Sequence, residues 1–189
     1  MTKNIGIFSL TSALAVGVLA AQDAIETLAT VDVIGSSENV LGLTGSGAFI
    51  EAEDYQRKGI TNIQQILRKV PGVYIREEDG FGNFPNISLR GGDGTRNEKV
   101  TVMEDGILTA PAAYSAPSAY YSPRAARMSG IEVLKGSSQI KYGPHTTGGV
   151  INFLSTEIPS EETFYTRNTY GTYNTLLSHN YYGDTVRTA

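Results

Sequence analysis

The chain has 189 residues, a formal charge of −4 and a 40% share of hydrophobic residues, which allows one domain of ordinary size with some chain left over. The negative balance and the scatter of the basic residues argue against a phosphate-binding surface, and so against a nucleic-acid partner. There is no cysteine, which removes disulfides, thiolate metal sites and thiol catalysis.

Residues 1–21 read as an export signal. Lys3 supplies the positive start, "IGIFSLTSALAVGVLAA" the apolar run, and Ala20 and Ala21 the small residues that a cut requires. The run is short and polar for a membrane span, an N-terminal anchor or core helix being the alternative reading, and the mature chain is expected outside the cytoplasm. Residues 22–47 follow as a small, polar segment, expected to be a flexible tether. Within it, "TVDVIG" at 30–35 is a β-prone patch. It suits strand addition to another protein, or alternatively the first strand of the domain itself.

The compact domain is expected over 48–156. "AEDYQRKG" predicts one turn of helix ending at Gly59. "TNIQQILRKVPG" predicts a longer one, with Thr61 and Gln64 as a capping box, Ile63, Ile66, Leu67 and Val70 on one face, and Pro71-Gly72 as the stop. Short strands are predicted at 73–76, 86–90, 100–103, 107–109, 131–134 and 150–154, with Asp105-Gly106 as a type I′ hairpin turn. The fold class is therefore α+β, a small mixed sheet with short helices. Its long connections, among them "APAAYSAPSAYYSPRAARMSG", suit binding work. Residues 157–189 change character. "FYTRNTYGTYNTLLSHNYY" suits two antiparallel strands with aromatic residues near their ends, either as barrel strands or as a soluble hairpin.

Catalytic sets are missing. "GGDGTRN" lacks the third glycine and the following helix of a phosphate loop, and His145 and His179 have no partners at metal-ligand spacing. Glu104 and Asp105 are adjacent carboxylates that a strand would point to opposite faces. No catalytic residue, metal ligand or cofactor is expected, and the protein is read as a non-enzyme.

The ordered set "LRG", "EDG", "EVLKG", "YGP" and "GGVINF" resembles the plug domain of TonB-dependent outer-membrane receptors, with the ferric-citrate-type branch the most similar. The resemblance covers about residues 30–156. It implies a plug that closes a 22-stranded barrel, binds a scarce ligand such as an iron chelate (siderophore or ferric citrate), and is rearranged from the periplasm by TonB. By the same resemblance, Thr30, Val31, Asp32, Val33 and Ile34 form the TonB-binding box. Arg90 matches the plug arginine that pairs with barrel glutamates. Lys135 stands where the family usually has a second arginine, a departure because lysine cannot make a bidentate fork. The loop with Tyr114, Ser115, Tyr120 and Tyr121 corresponds to an apical ligand loop, with Arg124 and Arg127 as attractors for an anionic chelate; packing against the barrel wall is the alternative role for the tyrosines. After Thr156 there is chain for only two or three strands. The expectation is thus a fragment of a longer receptor or a truncated product, the rival reading being a secreted or periplasmic ligand-binding module.

Overall fold

The computed structural model describes residues 34–92, 99–109, 121–142 and 148–185. Nine strands and two short α-helices are formed among them. These are β1 (Ser46–Glu51), α1 (Ala52–Gln56), α2 (Ile63–Leu67), β2 (Val73–Ile75), β3 (Ile87–Leu89), β4 (Val100–Glu104), β5 (Ile107–Leu108), β6 (Met128–Lys135), β7 (Gly149–Ser155), β8 (Thr163–Gly171) and β9 (Thr175–Gly183). Five strands make the main sheet in the order β1-β6-β7-β4-β5, with β4 and β7 parallel and every other pair antiparallel. β2–β3 and β8–β9 are separate two-stranded ribbons.

The central strands β6 and β7 carry apolar residues on both faces, with Glu132 and Asn152 buried among them. Ile131, Val133, Ile151 and Phe153 face one core, which α1, α2 and the β2–β3 ribbon cover through Tyr55, Ile66 and Leu67 among others. Leu134, Val150 and Met103 face the other way and meet Ile34, with Val40 and Leu43 packed alongside. Ile34 is 2% exposed, so the chain from residue 34 to 47, expected within the tether, is the lid of the second face. The physical reason is simple: without that segment, a second apolar row would lie against water.

The predicted elements meet small corrections. The cap of α2 is Asn62, whose Oδ1 accepts from the Gln64 amide at 2.8 Å. The Gln64 side chain is fully buried with no hydrogen-bond partner for either polar atom, so the expected capping box with Thr61 does not form. β1 escapes the strand pattern, because "SGAFIE" opens on three small residues where that pattern needs bulk. The turn at Asp105 (φ 49°) and Gly106 (φ 77°) has the two positive angles of type I′.

The β8–β9 hairpin forms as two antiparallel strands. Its inner face stacks Tyr165 on Tyr181 with ring centroids 4.9 Å apart and sends Arg167 to the Gln56 side-chain oxygen at 2.6 Å. Its outer face is aromatic or apolar at both ends, with Phe164 opposite Tyr182 and Tyr170 opposite Leu176. Between them lie the polar pairs Thr166–Asn180 and Asn168–Ser178, a departure from the continuous apolar band of a lipid-facing strand.

Gly149 lies where the sheet is tightest. Its φ is +146°, and a Cβ there would stand 2.2 Å from Leu89 Cδ1 and 2.7 Å from the Leu134 carbonyl oxygen. Gly149→Ala is expected to destabilise the fold by about 3 kcal/mol or more, through a clash with backbone that cannot move aside. Gly59→Ala, at φ +65° with open space around it, should cost only about 1–2 kcal/mol. Denaturation midpoints of the two variants check the difference; equal losses would contradict the packing.

Candidate functional site

The residues singled out by sequence fall into three groups around the main sheet. The first is the seat of Ile34. Thr30, Val31, Asp32 and Val33 lie outside the described residues, so of the expected box only Ile34 is seen. The Ile34 amide donates to Glu132 Oε1 at 2.7 Å, and the Gly35 amide donates to the same oxygen at 2.9 Å. Glu132 is wholly buried in β6, and its Oε2 accepts from Asn152 Nδ2 of β7 at 2.9 Å. Asn152 Oδ1 in turn accepts from the Gly106 amide at 2.9 Å. The Asn39 side chain donates to the Ile34 carbonyl at 2.8 Å, so residue 34 is held through both of its peptide groups. Sequence reasoning missed Glu132. Its signal was present: one carboxylate inside the apolar run "IEVL" requires buried donors.

The second group holds the feet of the long loop. Tyr114, Ser115 and Tyr120 lie outside the described residues; Tyr121 and Arg124 are within them. Thr109 bonds Val102 through its amide (3.1 Å) and its hydroxyl (3.0 Å), which fixes the outgoing foot on β4. The returning foot is Tyr121, whose hydroxyl donates to Glu104 Oε2, while Arg127 binds both oxygens of Glu104 and donates to the Tyr121 hydroxyl at 3.0 Å. The Arg127 hydrogen bond holds the Glu104 carboxyl below its ordinary range, against the opposing effect of burial. Burial, then the Glu104 hydrogen bond, pushes the Tyr121 phenol up. Tyr121 and Arg127 are therefore committed to each other and to Glu104. Arg124 remains exposed, on the rim of a hollow of about 790 Å³ between the domain and the inner face of β8–β9. Glu104 and Asp105 do separate as expected: Asp105 accepts from the Ser155 amide at 2.8 Å and hydroxyl at 2.5 Å, fastening the end of β7.

The third group is basic and lies at the other end of β6. Arg90 follows β3 in a left-handed conformation (φ 55°) and is exposed; Lys135 ends β6 and is 6% exposed. The two line one hollow of about 400 Å³ with Pro71, Gly72 and Gly136. The Lys135 ammonium donates to the Pro71 carbonyl at 2.7 Å. Burial, and then the neighbouring Arg90 charge, pull its pKa down. No acidic residue is among those lining the hollow, which leaves it suited to an anion.

The lowered Lys135 value predicts a pH dependence. The charged form is penalised in the folded state, so the penalty is relieved as pH rises through the lowered folded pKa toward the unfolded value of 10.5. The contribution of Lys135 to stability should rise with pH in that window, most cleanly below pH 10.0, above which the raised Tyr55 phenol acts in the opposite sense. Arg90→Gln should flatten the rise by lifting the Lys135 pKa back, which unfolding measurements across the window will show. An acidic group docked in the hollow should reverse the direction.

The chain belongs to the TonB-dependent receptor plug family, since the family model described as TonB-dependent Receptor Plug Domain matches residues 39–150. The ferric citrate transporter FecA in its unliganded form shares the fold at 30% identity and a TM-score of 0.61, over 69% of this chain and 21% of that one. The ferric yersiniabactin uptake receptor FyuA from Yersinia pestis matches at 22% identity and a TM-score of 0.61, over 78% of this chain and 23% of that one. The siderophore receptor PirA from Acinetobacter baumannii matches at 22% identity and a TM-score of 0.50, over 72% and 21%. The last two speak for the fold alone. The chain covers about a fifth of these receptors' length.

Proposed function

We propose that the chain is the plug, with the opening hairpin of the barrel, of an outer-membrane receptor that takes up an iron chelate, ferric citrate or a siderophore, or a similarly scarce nutrient. The observation that carries this is the family match across residues 39–150, joined by the 30% identity to a ferric citrate transporter. Residues 1–21 direct export and are removed. Residues 30–34 bind TonB on the periplasmic side as an added strand, using main-chain hydrogen bonds. The protein works by binding and rearrangement, without a catalytic step.

The loop between Thr109 and Tyr121 carries the ligand contacts. Tyr114, Ser115 and Tyr120 offer aromatic area and hydroxyls, and the exposed Arg124 offers charge to an anionic chelate. Tyr121 is proposed for the same contacts, and its bonds to Glu104 and Arg127 support a second role as the anchor that holds the loop's return. Arg90 and Lys135 form the latch toward acids of the barrel wall, with Lys135 as a point charge in place of a fork.

The test separates coupling from binding. Proline lacks the amide that a pairing strand donates and fixes φ. Val31→Pro and Val33→Pro in the intact receptor should abolish energised uptake and leave surface binding of ferric citrate or siderophore unchanged, whereas Val31→Ala should be mild. Uptake and binding measured side by side in cells decide it; transport at the parental rate in both proline variants sinks the assignment of residues 30–34. Tyr120→Ala should weaken ligand binding by about 1–3 kcal/mol in calorimetry, and unchanged affinity would return that tyrosine to packing.

A further inference from the structure

Taking residues 30–34 as the coupling segment, we infer that Glu132, oriented by Asn152, is the positioning residue that seats the end of this segment and sets how readily it is released. A carboxylate without access to water is tolerated only when donors surround it, and Glu132 has three: the amides of Ile34 and Gly35 on one oxygen and the Asn152 amide nitrogen on the other. Such charge-assisted bonds are roughly twice as strong as neutral ones.

The seat competes with strand addition. An incoming strand pairs through main-chain amides, and the amide of Ile34 is already committed to Glu132. The Ile34 side chain is committed as well, against Met103, Leu134 and Val150. Engagement of the whole segment therefore requires that Ile34 leave its socket and that Glu132 lose two donors. The strength of the seat sets the threshold for that step.

Asn152 makes the arrangement directional. Its oxygen is taken by the Gly106 amide, so its nitrogen must face Glu132, and Glu132 must present an acceptor to it. Glu132→Gln keeps the shape but sets an amide NH2 against the Asn152 NH2. Asn152 cannot turn over, because its nitrogen would then meet the Gly106 amide. Combining Glu132→Gln with Asn152→Asp restores every pairing. The carboxylate now on β7 accepts from the Gly106 amide and from the NH2 now on β6, and the carbonyl on β6 accepts from residues 34 and 35. Size and net charge are unchanged.

Hydrogen exchange of the intact receptor, without ligand or energy partner, reads the seat directly. The amides of Ile34 and Gly35 should be protected in the parent and exchange about tenfold faster or more in E132Q, the loss expected for charged hydrogen bonds, while the amides at 131–134 stay protected. Asn152→Asp alone, which sets two carboxylates face to face, should also open the seat. The double swap should return exchange to within about twofold of the parent, as a non-additive cycle. Unchanged exchange in E132Q, no rescue by the swap, or a loss of protection spread along β6 would each overturn the inference, the last by making Glu132 a general core residue. Because the measurement uses no ligand and no partner, its outcome is independent of whether Val31→Pro blocks uptake.

Discussion

A carboxylate shut away from water sits in the middle of β6, the strand that pairs with β1 on one side and β7 on the other. Ionic groups of this kind carry a desolvation penalty of several kcal/mol unless hydrogen bonds replace the lost water. In this fold the replacements come from distant parts of the chain: residues 34 and 35 before the first strand, and Asn152 in the last strand of the sheet. Glu132 thus makes the second face of the sheet dependent on the segment that covers it. Remove that segment, and both an apolar row and a charge lose their cover.

The same sheet separates the two kinds of work assigned to it. The β4–β5 turn, the end of β7 and both feet of the long loop gather at one end, tied by Asp105 to Ser155 and by Glu104 to Tyr121 and Arg127. The two cations of the Arg90–Lys135 hollow lie at the other. Strands differ from loops in stiffness, so the two feet, Thr109 and Tyr121, take their places from that one short hairpin. The hairpin's own amide, at Gly106, feeds the Asn152–Glu132 pair. The loop and the seat of Ile34 therefore share one rigid support.

Much of the fold was legible in local pattern. Six strands came from runs of β-branched residues bounded by breakers, the turn from Asp105-Gly106, and the end of the second helix from Pro71-Gly72. What escaped was whatever depends on partners far along the chain. β1 is poor in bulky residues and is a strand because β6 is there to pair with it. Residues 34–47 look like a linker because Ile34, Val40, Leu41 and Leu43, set among serines and glycines, sustain no helix or strand period. The hint lay elsewhere, in "IEVL" and "VINFL", which put apolar residues on both faces of their strands and so demand cover on both. The site was legible as residue types in loops, but not as partnerships: nothing local says that Tyr121 meets Glu104, or that Lys135 spends a proton donor on the Pro71 carbonyl.

The pairing scheme also has a temporal side. β1 meets β6 with Ser46 opposite Lys135, and β4 lies parallel to β7 with Val100 beside Gly149, so two of the four ladders of the main sheet close long stretches of chain. Loop closure must be met before such contacts give anything back, and topologies of high contact order fold slowly for that reason. No part of the sheet larger than the β4–β5 hairpin can form until the chain has been made as far as β6 and β7. A nascent polypeptide of this kind stays open by its own topology, which is the state in which a chain can still be threaded through a narrow conduit.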